Sequence, residues 1–192
     1  MSDAISTGAF ERFLARPTGQ NYRRARRLAM ADSRLDPHSL KWAELSGLCE
    51  NRRFRQVLQE AQQLWPQWRL SPRFHLLVAY AAFCLGEQQE AELARFQYQA
   101  CVDGMLDSGD GTRRRPYQVL RICDEYDLLR ALQQRPRSQT LVERKGRWLD
   151  VITCEEGRKV WFDPGICSSQ RPLAGRFSQW IDRIPSQASY HS

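Results

Sequence analysis

Apolar residues recur at helical spacing throughout the first half of the chain, which predicts a series of helices. Phe10, Phe13 and Leu14 fall on one face of a first helix, which Pro17 interrupts. A second predicted helix runs to about Ala31, and its polar face carries arginines at positions 23, 24, 26 and 27. That face is predicted to be the most basic surface of the protein.

Two antiparallel helix pairs are predicted next. The first pair spans residues 39–65 and is closed by Pro66, and the second pair spans residues 72–106. Laying one pair on the other gives an offset of about 34 residues, which is typical of tetratricopeptide (TPR) repeats. Arg52 stands in the first pair where the second has its turn glycine, Gly86. The helices are therefore predicted to form a TPR-like array.

The pattern changes at Asp107, where the helical spacing stops and glycines appear. A strand is predicted over 117–122 and a helix over 124–132, with Asp124 as N-cap and Asp127 in a variant of the capping box. Three short strands are predicted to follow, over 138–143, 147–154 and 159–162. Because tight glycine turns connect these strands, an antiparallel meander is the simplest arrangement.

The predicted fold class is α+β, in two parts. Residues 8–106 form the TPR-like antiparallel helix pairs, and residues 107–185 form a small module of one strand, one helix and a three-stranded antiparallel meander. The module includes a last helix whose stripe of Phe177, Trp180 and Ile181 is expected to dock onto the body. Residues 186–192 are predicted to be a disordered tail.

A series of short motifs runs through the second half of the chain: DSGDG at 107–111, DEYDLLRAL at 124–132, SQTLVE at 138–143, LDV at 149–151 and WFD at 161–163. In this order they resemble a bacterial family catalogued only as a domain of unknown function. Its members look like a TPR-like helical part followed by a strand–helix–meander module. The resemblance implies the fold and no particular activity. This sequence departs from it after Gly111, in the basic run Arg113, Arg114 and Arg115.

Composition and charge indicate which partners and which cellular location to expect. The formal net charge of +7 suits an acidic partner, although a solvated basic surface is the simpler interpretation because no nucleic-acid-binding motif accompanies it. The six cysteines are spread singly, which predicts reduced thiols, no metal site and a cytoplasmic location. No signal peptide or long apolar run is recognisable, so no membrane partner is expected.

Several carboxylates of the second half are candidates for a metal or acid–base site: Asp107, Asp110, Asp124, Glu125, Asp127, Asp150 and Asp163. The DSGDG loop lacks the ligand register of a calcium loop, and helix capping explains the acidic run better than catalysis does. Ser108 lacks a nucleophile elbow, and Cys123 is interpreted as a buried thiol. The sequence thus predicts no catalytic residue, no metal and no cofactor.

The first helix of each pair would face the concave side of a TPR array, where partners bind. This predicts a groove lined by Trp42, Arg73, Leu76, Tyr80 and Phe83. The alternative is that these side chains pack against a neighbouring element. Arg113, Arg114 and Arg115 are a second predicted contact, to an anion or an acidic partner.

Three functional hypotheses follow. The favoured one is a cytoplasmic interaction protein, non-catalytic, that binds a protein or peptide. The second is a hydrolase or transferase whose carboxylates meet where the DSGDG loop reaches the DEYD helix. The third is nucleic-acid binding through the arginines of the second helix and of the run at 113–115.

Overall fold

The structure, a computed structural model, describes residues 2–33, 35, 36 and 39–165. Its elements in chain order are α1 (Ser2–Ala15), α2 (Gly19–Met30), α3 (Lys41–Glu50), α4 (Phe54–Trp68), α5 (Pro72–Cys84), α6 (Gln88–Leu106), β1 (Tyr117–Gln118), α7 (Ile122–Ala131), β2 (Pro136–Arg144), β3 (Arg147–Cys154) and β4 (Lys159–Asp163). The predicted α+β class is confirmed, with helices first and the sheet after them. The predicted last helix and tail lie outside the described residues.

The two helix pairs α3–α4 and α5–α6 turn in the same way. Arg52 (φ 56°) and Gly86 (φ 75°) both adopt the left-handed conformation at the end of the first helix. In each turn the next backbone N–H donates to the carbonyl five residues earlier, at 2.8 Å from Arg53 and 2.9 Å from Glu87. This is the 6→1 bond of a Schellman motif. The two turns lie at the offset predicted from the sequence, while assignment to the TPR family stays a prediction.

Helix α4 runs through Pro66 and ends at Trp68, which corrects the predicted end at residue 65. A proline inside a helix removes the bond to the carbonyl four residues earlier, here that of Gln62. Both Pro66 and Gln62 are exposed, so water can hydrate the freed carbonyl. Trp68 is almost completely buried, and its burial favours continuing the helix to that residue.

The four described strands form one mixed sheet in the order β1-β4-β3-β2. Strands β2, β3 and β4 are an antiparallel meander, as predicted, and β1 pairs in parallel with β4. The β2–β3 turn places Lys145 (φ 50°) and Gly146 (φ 73°) in the left-handed region, which defines a type I′ turn. Strand β1 has two residues, so the strand predicted over 117–122 is shorter than expected.

The start of α7 also differs from the prediction. The helix begins at Ile122, and Arg121 is its N-cap. Asp124 therefore sits inside the first turn, where its Oδ2 accepts the Arg121 backbone N–H at 3.0 Å. Asp127 does not cap the helix, because its carboxylate is bound by Arg73 of α5. The predicted capping pair was therefore wrong: Arg121 is the N-cap and Asp124 takes the capping-box position, whereas Asp127 binds a residue far away in sequence.

Two hydrophobic cores hold the described elements together. The first joins α1, α2, the end of α6, α7 and one face of the sheet, and it includes Phe13, Tyr22, Met105, Leu128 and Phe162. The second lies among α3, α4 and α5. The first core draws on both predicted parts of the chain, so α1 and α2 pack against the module as well as against the helix pairs. None of the described helices is long and apolar enough to cross a membrane.

The matched turns at Arg52 and Gly86 give a paired prediction. Arg52→Gly is expected to raise the free energy of unfolding by about 0.5–1 kcal/mol, because glycine adopts a positive φ without a Cβ penalty. Gly86→Ala is expected to lower it by about 1–2 kcal/mol for the same reason. Urea denaturation of both variants measures this. Changes of the same sign would contradict the equivalence of the turns.

Candidate functional site

Helix α7 carries the densest group of buried polar side chains in the described chain. We define the α7 cluster as Arg121, Asp124, Glu125 and Asp127 together with the groups they contact. All four are buried, and burying a charge is costly unless a partner compensates for it. The partners therefore show what each carboxylate does.

Asp127 forms a two-point ion pair with Arg73 of α5. Arg73 donates from Nε to Oδ2 and from Nη2 to Oδ1, both at 2.9 Å, and Nη2 also donates to the Cys123 carbonyl at 2.8 Å. The Trp42 ring covers the guanidinium, with its centroid 4.4 Å from Cζ. Burial alone would lower the pKa of Arg73, but the charges and hydrogen bonds of its neighbours, those of Asp127 first, together outweigh burial and raise it. Arg73 is thus held in its charged form.

Asp124 and Arg121 link α7 to the ends of α4 and α5. Asp124 Oδ1 accepts the hydroxyl of Ser71, the N-cap residue of α5, at 2.8 Å. Burial, and then the charge of Asp127, raise the pKa of Asp124 to about 6. The Arg121 guanidinium stacks on Trp68 at 4.0 Å and donates to the backbone carbonyls of Asp36 and Gln67. These contacts hold the start of α7 against the end of α4 and the start of α5.

Glu125 faces the sheet and shares a buried hydrogen-bond network with Asp150 of β3. Its Oε2 accepts from Gln139 Nε2 at 3.3 Å, and the Tyr126 hydroxyl donates to Gln139 Oε1 at 2.7 Å. Burial, and then the charge of Asp150, raise the pKa of Glu125 well above its ordinary value. Burial also raises the pKa of Asp150, although its hydrogen bonds with Glu125 and Gln139 partly offset that rise. Glu125 is thus the protonated partner, donating to Asp150.

The carboxylates of the DSGDG loop do not join this cluster. Asp107 Oδ2 accepts the Gly19 N–H at 2.5 Å at the start of α2, and Asp110 Oδ1 accepts the Thr112 N–H at 3.0 Å within its own loop. Asp163 is bound by Arg147 and by the Gly165 N–H. Across the described ranges, no three His, Cys, Asp or Glu side chains are grouped to hold a metal ion. The geometry therefore favours structural roles for these carboxylates.

The possible nucleophiles and bases are also engaged inside the protein. Ser108 is buried, donating to the Met105 carbonyl at 2.6 Å and accepting the Gln118 N–H at 2.9 Å. Burial raises the pKa of the Cys123 thiol, so the thiolate is disfavoured. Burial lowers the pKa of His75 to about 4, and its Nε2 lies 2.8 Å from the Arg69 carbonyl oxygen. A neutral His75 that donates to this carbonyl fits both observations.

The five predicted groove residues have different surroundings. Trp42 and Arg73 are buried in contact with each other and, through Asp127, with α7. Leu76 and Tyr80 are half-buried, and Tyr80 meets the edge of another ring 5.6 Å away, that of Phe54 in α4. Phe83 is 44% exposed. The binding role of all five residues stays a prediction.

The predicted anion-contacting arginines are all exposed. The Arg113 guanidinium lies 5.8 Å from the Trp161 ring centroid, and its carbonyl accepts Arg144 Nη1 at 2.8 Å. Arg115 Nη1 is 3.8 Å from Asp110 Oδ2, at the long end for an ion pair, and Arg115 lines a pocket that Arg23 of α2 also lines. The structure thus places Arg115 and Arg23 in the lining of one pocket.

Arg26 behaves differently from the other arginines of α2. It is buried and donates from Nε to the Val119 carbonyl at 2.7 Å and from Nη2 to the Asp163 carbonyl at 2.9 Å. It therefore ties α2 to the sheet. The basic surface predicted for α2 does not include Arg26, because its guanidinium satisfies backbone carbonyls inside the protein.

Sequence reasoning missed the polar partners of α7, which are Ser71, Arg73, Gln139 and Asp150. One signal was available. Four successive polar or amphipathic residues, from Asp124 to Asp127, project all around a helix, so some of them must point inward if the helix packs on two sides. Which partner meets which carboxylate depends on the tertiary fold.

Fold and site together define an α+β protein in which the helices come first and the sheet follows, and in which a buried ion pair joins α5 to α7. The chain belongs to the family described as Domain of unknown function (DUF4919), which matches residues 36–164. The predicted family membership is therefore confirmed. No curated protein and no solved structure has significant similarity to the chain.

Removing one partner of the buried pair gives the first prediction from this site. Asp127→Ala leaves the Arg73 charge buried without its carboxylate, and it is expected to lower the free energy of unfolding by about 3–5 kcal/mol. The matched control is Asp103→Ala, an exposed aspartate on α6, which is expected to change it by less than about 0.5 kcal/mol. Denaturant unfolding of both variants measures the difference. Similar losses in the two would contradict the role of the pair.

The raised pKa of Glu125 predicts a pH dependence. The folded state holds this proton more tightly than the unfolded chain, so its contribution is complete below the unfolded pKa and is lost as pH rises through the folded pKa. Glu125→Gln keeps a neutral donor to Asp150. The stability of this variant is expected to fall less steeply than that of the wild type as pH is raised from acid to neutral. Parallel curves would contradict the assignment, and exposed Glu143→Gln on β2 is the control.

Proposed function

We propose that the chain is a non-catalytic binding protein of the cytoplasm whose partner is a protein or peptide. The partner binds the exposed surface formed by Phe83 at the end of α5 and by Leu93 and Phe96 in the amino half of α6. The supporting observation is the exposure of large apolar side chains. Phe83 is 44% exposed on α5, and Leu93 and Phe96 are each 49% exposed on α6. Exposed side chains of this kind, aromatic ones above all, are typical of interface hot spots.

The position of these residues on α6 supports a docking face. Leu93 and Phe96 are three residues apart, so they are neighbours on one side of the helix. Ala91 and Ala94 are buried, which leaves the side with Leu93 and Phe96 free of the contacts inside the pair. In a stacked helical array the second helix of a pair is covered by the next pair. The amino half of α6 is instead largely exposed, while most residues of its carboxyl half are buried.

The TPR-like description and the cytoplasmic location are parts of this proposal. Equivalent turns at Arg52 and Gly86 support the repeat. The cysteines within the described residues are free thiols, as is typical of a reducing compartment. The hydrolase or transferase alternative is not favoured, because the loop and α7 carboxylates are bound to separate structural partners.

The test compares Leu93→Ser/Phe96→Ser with the wild type in affinity purification from the source cell, followed by titration of each purified partner. Loss of the two side chains is expected to weaken binding at least about tenfold, as hot-spot truncations do. The matched control is Leu40→Ser, which removes another exposed leucine far from α6 in sequence. A partner retained equally by all three proteins would contradict the proposed face, and the absence of any saturable partner would contradict the function.

A further inference from the structure

A pocket of about 390 Å³ lies where the α1–α2 connection and the first turns of α2 meet the loop after α6. We call it the arginine pocket, because Arg16, Arg23 and Arg115 line it together with Asp107. Every other residue of its lining is uncharged and polar. Its volume is at the small end of the range for small-molecule sites, so it suits a compact polar ligand rather than an apolar one.

The arginines of this pocket are poorly neutralised. Within the described residues, Arg16 has no ion-pair partner and Arg23 donates only to the Ser108 carbonyl, at 3.2 Å. The contact of Arg115 with Asp110 is a long one of 3.8 Å. Three guanidinium groups and the one carboxylate of Asp107 line the pocket, and Asp110 beside Arg115 offsets one further charge, so the surroundings keep an excess of positive charge. That excess favours a small anion.

The backbone around the pocket is closely packed. Asp107 accepts the Gly19 N–H at 2.5 Å, and a Cβ on Gly19 would overlap the backbone of Asp107. A Cβ on Gly109 would likewise overlap the Pro116 carbonyl, so the loop is tightly folded against itself. In the first turn of α2 the Gly19 and Asn21 N–H groups are already bonded to Asp107 and Thr18. The arginines are therefore the charged donors that remain to hold a ligand.

We propose that the arginine pocket binds the phosphoryl group of a small soluble molecule. One guanidinium group can donate two hydrogen bonds to the oxygens of a phosphoryl group, and three guanidinium groups can surround it. An extended nucleic acid fits less well, because no aromatic side chain lines the pocket to stack a base. The neighbouring basic residues do not extend the site either, since Arg26 is buried and Arg113 lies against Trp161. This inference is independent of the proposed protein-binding face.

Calorimetric titration with pyrophosphate at neutral pH and low ionic strength tests the proposal. Arg16→Gln, Arg23→Gln and Arg115→Gln are each expected to weaken binding at least about tenfold, the usual loss for a hydrogen bond to a charged group. The matched control is Arg24→Gln, an exposed arginine of α2 outside the pocket, which is expected to stay within about twofold. Circular dichroism checks that the variants are folded.

Two further measurements separate phosphoryl recognition from general charge. Arg115→Lys keeps the charge without the two-point geometry, so it is expected to bind more weakly than the wild type and more tightly than Arg115→Gln. Citrate, which carries only carboxylates, is expected to bind more weakly than pyrophosphate. The proposal is overturned if the wild type does not bind pyrophosphate, if Arg24→Gln loses as much affinity as the pocket variants, or if citrate or single-stranded RNA binds better.

Discussion

The ion pair between Arg73 and Asp127 is the contact on which the arrangement of the two halves depends. Both groups are buried, and either charge left alone there would be strongly unfavourable. The two-point geometry has one satisfactory alignment, and the Trp42 ring and the Cys123 carbonyl restrict it further. Helix α5 therefore meets α7 in one register, and the rest of the helix pairs is positioned on the module accordingly.

The other polar groups of α7 extend the same principle to different neighbours. Asp124 meets the start of α5 through Ser71, the Arg121 guanidinium meets the end of α4 at the Gln67 carbonyl, and Glu125 meets the sheet through Asp150. A sequence so rich in carboxylates invites a catalytic interpretation. In this fold the carboxyl groups of α7 bind neighbouring elements instead. A polar group on a helix that is buried on several sides needs a hydrogen-bond or ion-pair partner inside the protein.

Local chemistry explains which features the sequence predicted well. Helical periodicity predicted α1 to α6, and the turn at Lys145 and Gly146 predicted the meander. Both patterns depend only on residues that are close together in sequence. The start of α7 and the partner of Asp127 were not predictable in this way, since Arg73 lies 54 residues away in sequence. The helix through Pro66 was missed for a related reason, because the burial of Trp68 is a tertiary effect.

The candidate binding surfaces differ from the framework in one physical respect. Leu93 and Phe96 are large apolar side chains that folding would ordinarily cover, yet they stay exposed. The arginine pocket also combines two regions, since Arg115 lies within the stretch matched to the family and Arg16 lies before it. The arginine pocket forms only when α2 packs on the loop after α6, a contact made by the hydrogen bond from Gly19 to Asp107. Any ligand of that pocket therefore also reports how α1 and α2 pack on the family domain, because loosening that contact separates its arginines.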